Sequence, residues 1–284
     1  MAYFTIKECR DSAILRTRAK RIRSTTGRKA YTHEELHSPG ILQLLKVCLQ
    51  RPIYMFFTEY VVFSFTMWSA FSVGLVYLFT QSTAQVFGAL YDWPAYLTGY
   101  VQAAIVVGEF LGFFIWLYER HLYFASASRN TEKPGTPIPE ARLYLAIPGA
   151  LVGMGGGMFV YAWTSYPHLP WIGPAMGLMM VGCGINIVVI AIAEYVTDCY
   201  SKYAGSAVAS VAAGENILAA FLPLAAQSMY TTLGLNWASS LLGFLALLLG
   251  CLPIVLLLRG KAIRENSPFM KDARYATEEE TAEQ

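Results

Sequence analysis

Six long apolar runs, separated by short polar stretches, dominate the chain after residue 52. They cover about 53–80, 94–118, 143–164, 171–193, 203–227 and 237–258. Each is near the ~20 residues a helix needs to cross ~30 Å of hydrocarbon. The runs are continuous, which excludes a barrel built of alternating strands of about ten residues. The expected fold is all-α and integral to the membrane: a six-transmembrane-helix bundle over 53–258. A basic segment, 1–52, precedes it, a polar loop, 119–142, follows the second helix, and a charged tail, 259–284, ends it.

Basic residues orient the bundle. All 21 Lys and Arg fall in four places: eleven in 1–52, four in the loop after the second helix, Lys202, and five in the tail. The three loops on the other side hold none. Cytoplasmic loops collect Lys and Arg, so both termini are expected in the cytoplasm. The opposite loops carry Tyr91, Trp93, Trp163, Tyr166, Trp171, Tyr230 and Trp237, rings suited to the outer headgroup level. The expected membrane is the plasma membrane, with the vacuolar membrane as the alternative.

Composition agrees with this picture. Only 14% of the residues are charged, against about 25% in a soluble domain. The start of the chain lacks the early apolar stretch of a signal peptide, so the first apolar helix is expected to direct insertion. Within 1–52, Arg16, Arg18, Lys20, Arg21, Arg23, Arg28 and Lys29 form a dense cationic run. Beside a membrane this reads as an anchor on the anionic cytoplasmic surface, not as a nucleic-acid site. Cys9, Cys48, Cys183, Cys199 and Cys251 show no metal-ligand spacing. His33, His37, His121 and His168 form no ligand cluster, and no hydrolase, zinc-protease or Walker motif occurs. No metal, cofactor or enzymatic activity is expected.

Acids at membrane depth carry the candidate chemistry. Glu215 lies near the middle of the fifth run with Asn216 beside it, and Glu109 in the inner half of the second. Glu59 sits about two turns inside the first, while Glu194 ends the fourth, in reach of the headgroups. The fifth run is mostly Ala, Gly and Ser, with about seven strongly apolar residues. At roughly −0.3 to −0.6 kcal/mol each these supply about −3 kcal/mol, while a central acid costs about +2.5 to +3.5 kcal/mol. That helix is marginal alone, so its Glu face needs protein or a wet cavity over it. Burial disfavours a charged carboxylate, which is what a group that loads and releases protons requires. The other reading is a neutral Glu hydrogen-bonded to a neighbouring helix. Asn186 and Trp68, also near mid-membrane, are either cavity residues or an interhelical hydrogen bond and a packed aromatic. Gly149, Gly153 and Gly157 form a row at four-residue spacing that predicts close helix packing.

Several stretches resemble one family. Pro139, Glu140, Ala141, Arg142 and Leu143 match the PEARL signature of fungal drug:proton antiporters of the major facilitator superfamily. Tyr118-Glu119-Arg120, followed by Leu122-Tyr123, resembles their acidic-Arg pair at the cytoplasmic end of the eighth helix. RPIYMFFTEYVV (51–62) and GLVYLF (74–79) are similar to the seventh helix. YVTDCYSKYAGSAVAS (195–210) and the stretch 221–249 are similar to the eleventh and twelfth. Residues 8–27 look like the family's central cytoplasmic segment. At Tyr60 the family often has Pro, and at Glu215 often Arg.

The resemblance implies the C-terminal half of such a transporter: six helices in two inverted three-helix repeats, with substrate held between two bundles. It implies proton-coupled export of small organic or cationic compounds. Glu215, Glu109, Asn186, Asn216, Trp68 and Glu59 are the candidate substrate or proton residues. Partners implied are the bilayer, protons, a small-molecule substrate and a second six-helix bundle, either another copy or a separate N-terminal half. The alternatives are a non-transporting relic, a membrane interaction module, or a fragment of a twelve-helix transporter.

Overall fold

The computed structural model describes residues 11–27, 31–32, 40–130 and 135–273. Cys9, Arg28, Lys29, His33 and His37 lie outside these residues. The chain divides into two units, residues 1–50 and 51–284. In the first, helix α1 (Asp11–Thr26) carries the basic run, and the Arg23 guanidinium lies 4.7 Å from the centre of the Tyr31 ring. Helix α2 (Ile41–Thr58) leads into the second unit.

Glu59 adopts an extended conformation and parts α2 from α3 (Tyr60–Tyr91). The first apolar run therefore continues well past residue 80. Asp92 ends α3 in the left-handed region at φ +54, which the short polar side chain of Asp tolerates, and its N–H bonds the Phe87 carbonyl. Helices α4 (Ala95–Val101) and α5 (Ala103–Ala125) form the next stretch. A 3₁₀ turn, Pro139–Leu143, then leads into α6 (Ala146–Pro148), a π-helix (Gly149–Gly156) and α7 (Gly157–Thr164). Helix α8 (Ile172–Tyr200) follows, then α9 (Ala204–Leu233), α10 (Leu235–Gly250) and α11 (Leu252–Asn266).

The protein is a helical membrane protein, and no strand occurs among the described residues. By length and composition, five stretches of the described chain are able to cross a membrane, not the six anticipated. One of them, Ile172–Leu233, holds 62 residues and contains both α8 and α9. A 3₁₀ turn (Ser201–Tyr203) parts those two helices, and Ser201 there has φ +26.

Helix α3 is the most buried of the long helices and α5 among the most exposed. Phe65, Trp68, Leu75, Leu78 and Phe79 of α3 are fully enclosed. Two tight helix pairs organise the bundle: α3 against α9, and α5 against α8. Glycine makes the second possible. A Cβ at Gly108 would stand 2.0 Å from the Met179 carbonyl oxygen, and one at Gly182 would stand 2.4 Å from that of Ile105. Backbones this close admit no side chain.

The glycine row of the third apolar run packs on α8, where a Cβ at Gly153 would meet the Gly184 Cα at 2.8 Å. The stretch is a π-helix and not the regular turn expected. Pro148 removes one helical donor, and five glycines between 149 and 157 put no Cβ in the way of wider turns. Where α3 ends, Trp93 packs against Trp171 at 5.7 Å, and the Tyr91 hydroxyl donates to the Leu169 carbonyl at 3.1 Å.

Candidate functional site

Polar groups gather at two levels of the bundle. The inner level lies in the α3–α9 pair. Glu215 is half-buried on α9, and the fully buried Ser69 of α3 donates its hydroxyl to Glu215 Oε1 at 2.5 Å. Close approach allows it: Gly214 faces Thr66 of α3, where a Cβ would stand 2.2 Å from Thr66 Cγ2. Asn216 points elsewhere and donates to the Ala212 carbonyl of its own helix at 2.8 Å.

The other mid-membrane candidates do not join this pair. Asn186 belongs to the α5–α8 contact, where a Cβ on Gly112 would stand 2.9 Å from its own, and its Oδ1 is enclosed without a donor. Glu109 is half-buried on α5, one turn before Gly112. Trp68 is fully buried against Phe65, with an enclosed indole N–H that lacks an acceptor. Among the described residues, no hydrogen bond links Glu215 to Glu109, Asn186 or Trp68.

The second level lies at one end of the bundle, organised by the turn Pro139–Leu143. Ala141 and Leu143 are buried in the core, while the two charged residues reach in different directions. Glu140, itself buried, accepts a charged hydrogen bond from Arg264 of α11. Gly260 leaves room for it, since a Cβ there would overlap the Glu140 carboxyl. Arg142 donates to Glu194 at 2.7 Å and to Asp198 at 3.1 Å, both on α8, and lies 3.8 Å from Glu119 of α5. Its guanidinium stacks on the Tyr123 ring at 3.5 Å, and Trp116 donates to Glu194 at 3.1 Å. Glu194 is thus held by protein and does not reach for headgroups, because α8 runs on to Tyr200. Arg120 lies outside the cluster, 5.9 Å from the centre of the Phe124 ring.

Glu59 belongs to this end too. It is buried and accepts from the Tyr200 hydroxyl at 3.0 Å, the Ser267 hydroxyl at 2.6 Å and the Phe269 N–H at 3.5 Å. This carboxyl ties the start of α3 to α8 and to the segment after α11.

Comparison with known proteins follows the same lines. Over 276 residues the chain is 35% identical to MFS transporter cpaT of Aspergillus oryzae, a match covering 95% of this chain and 54% of that protein. It is 32% identical over 274 residues to Major facilitator superfamily multidrug transporter FLU1 of Candida albicans, covering 95% and 44%. With MFS-type transporter penM of Penicillium rubens it shares 30% over 267 residues, covering 94% and 52%. Over nearly its whole length the chain is thus similar to transporters of the major facilitator superfamily. It spans about half the length of the curated relatives it matches. No family model and no solved structure matches it.

Two features of this chain were not visible in its sequence. Ser69 is one of many hydroxyls in α3, and only the crossing with α9 makes it the partner of Glu215. Tyr200, Ser267 and Arg264 likewise gain their roles from helix ends that meet in space. A crevice of about 450 Å³ between α5, the π-helix and α8 is lined by Leu111, Ile115, Val152, Met180 and Ile187, among other residues. None of the polar candidates lines it, so its volume alone does not mark the polar site.

Proposed function

We propose that the chain forms one six-helix bundle of a proton-coupled exporter of small organic or cationic compounds, with Glu215 as its proton- or cation-handling group. The observation that carries this reading is the Ser69–Glu215 pair inside α3–α9. An acid at membrane depth is costly unless paired or hydrated, and such residues mark ion or proton pathways. A single serine donor holds the carboxyl in position yet leaves it free of a fixed cation, so it can exchange a proton with solvent or substrate. The relatives' names, which include a multidrug transporter, support transport of small molecules.

In this reading α8 and α9 cross separately, giving six spans in two inverted three-helix repeats. Both ends lie in the cytoplasm, since all 21 basic residues occupy one side of that topology. The plasma membrane is the expected location. Glu109, half-buried on α5, is a second candidate acid on the path, apart from the Ser69–Glu215 pair. A second six-helix bundle, a further copy or a separate half, covers the small-residue face of α9, and the two rock against each other around the substrate.

Proteoliposomes test the proposal directly. Under an imposed proton gradient, the protein should move a cationic dye against its gradient, and Glu215→Gln should abolish that movement. Equal, background-level flux in both would refute it. A native mass in mild detergent corresponding to a monomer would remove the pairing.

A further inference from the structure

The cluster around Arg142 holds more negative charge than its one cation balances. Glu119, Glu194 and Asp198 surround a single guanidinium. Glu194 and Asp198 take its close hydrogen bonds and remain partly exposed, with side chains 24% and 26% accessible. Glu119 differs. It is 3% exposed, both carboxyl oxygens are sealed from solvent, and neither has a hydrogen-bond partner. The groups facing it are Arg142 from the 3₁₀ turn, Glu194 and Asp198 from α8, and Tyr123 from its own helix. Arg120 and Arg129 nearby in sequence are both exposed.

An ionised carboxylate in that position would combine three penalties: burial, no donor, and two anions beside it. One cation shared three ways does not offset them, because its donors already point at the other two acids. The missing positive charge must also be small. With no accessible surface at either oxygen, there is no room for a hydrated metal ion, and no metal-ligand group occurs among the described residues. A bound proton needs no cavity.

We propose that Glu119 is a proton-binding site at the cytoplasmic end of the bundle, separate from Glu215, and that it holds its proton at neutral pH. The neutral carboxyl leaves Arg142 committed to Glu194 and Asp198. Loss of the proton creates a third full anion and draws the guanidinium toward α5. Cytoplasmic proton activity thereby sets how firmly the turn Pro139–Leu143 is locked to α8. This needs only the cluster itself and does not require that the chain transport anything.

Infrared spectroscopy of the full chain in lipid nanodiscs reads the site. The carbonyl stretch of a protonated carboxyl should be present at neutral pH and fade as the pH is raised. Glu119→Gln should lose that band while Glu215→Gln keeps it. A Glu119→Gln spectrum identical to that of the unaltered protein, or no such band at neutral pH, would overturn the proposal. Asp198→Asn provides a second reading should Glu119→Gln fail to fold. Removing a neighbouring anion makes Glu119 easier to ionise, so the fading should move to lower pH. An unmoved midpoint would count against the site. Because the band is read without flux, a failure here is distinct from a failure of the exporter reading.

Discussion

Inside α3–α9, Ser69 and Glu215 meet as an isolated pair, whereas at the end of the bundle that holds the turn Pro139–Leu143 six charged side chains from four parts of the fold come together. Arg142, Glu119, Glu194 and Asp198 form one cluster there, and Glu140 with Arg264 a second link. The difference follows from solvent. Near the headgroups, ions are cheaply hydrated, so a protein can assemble many and use them to pin helix ends. Near the midplane each ion is costly, and a single one is retained only where a neighbour can satisfy it. On the proposed function, the end of the bundle is the structural fastening and Glu215 in its middle the working group.

Breaking the fastening should have the larger effect on stability. Arg142→Ala leaves Glu194 and Asp198 facing each other without their cation, and removing one partner of such a network costs about 3 kcal/mol. Thermal unfolding in detergent should show the loss, and a change within error of the unaltered protein would mean that the cluster does not hold the turn to α8. Ser69→Ala removes the one hydrogen bond that holds the half-buried Glu215, worth about 0.5–1.5 kcal/mol. If the middle is the working group, flux in the same variant should fall further than stability does. Equal losses would erase the distinction between the two regions.

The smallest effect is expected at the tail. Asp272 is exposed and accepts from the Tyr203 hydroxyl at 2.5 Å and from Lys202 at 3.5 Å. The Tyr203 hydroxyl, with Lys202 beside it, holds this carboxyl below its ordinary range. A carboxyl lowered in the folded state contributes above its unfolded value and loses that contribution as the pH falls through the folded one. Tethering of the segment after α11 should thus weaken only in acid, and Asp272→Asn should remove that dependence. Protease access to the tail as a function of pH measures it, and an unchanged acid dependence in the variant would assign it to another group.

Much of this architecture was legible as a one-dimensional pattern. The apolar helices, the helical class and the close packing of the glycine row of the third run all depend on local composition and spacing. The backbone must satisfy itself within hydrocarbon, so length and apolarity suffice to predict helices. Glu215 stood out for the same reason, since an acid on a weakly apolar helix announces a cost that something must offset.

What offsets it was decided in three dimensions. Nothing local distinguishes Ser69 from its neighbours Ser64 and Ser72, and nothing in PEARL says that Glu140 turns to α11 while Arg142 turns to α8. Glu59, a candidate acid about two turns inside the first run, accepts three donors from segments about 140 to 210 residues away in the chain. Such partners are chosen by helix crossings, and crossings depend on which glycines let two backbones approach. A hydrogen bond between distant residues leaves no periodicity behind, so its two halves become a pair only once the bundle has packed.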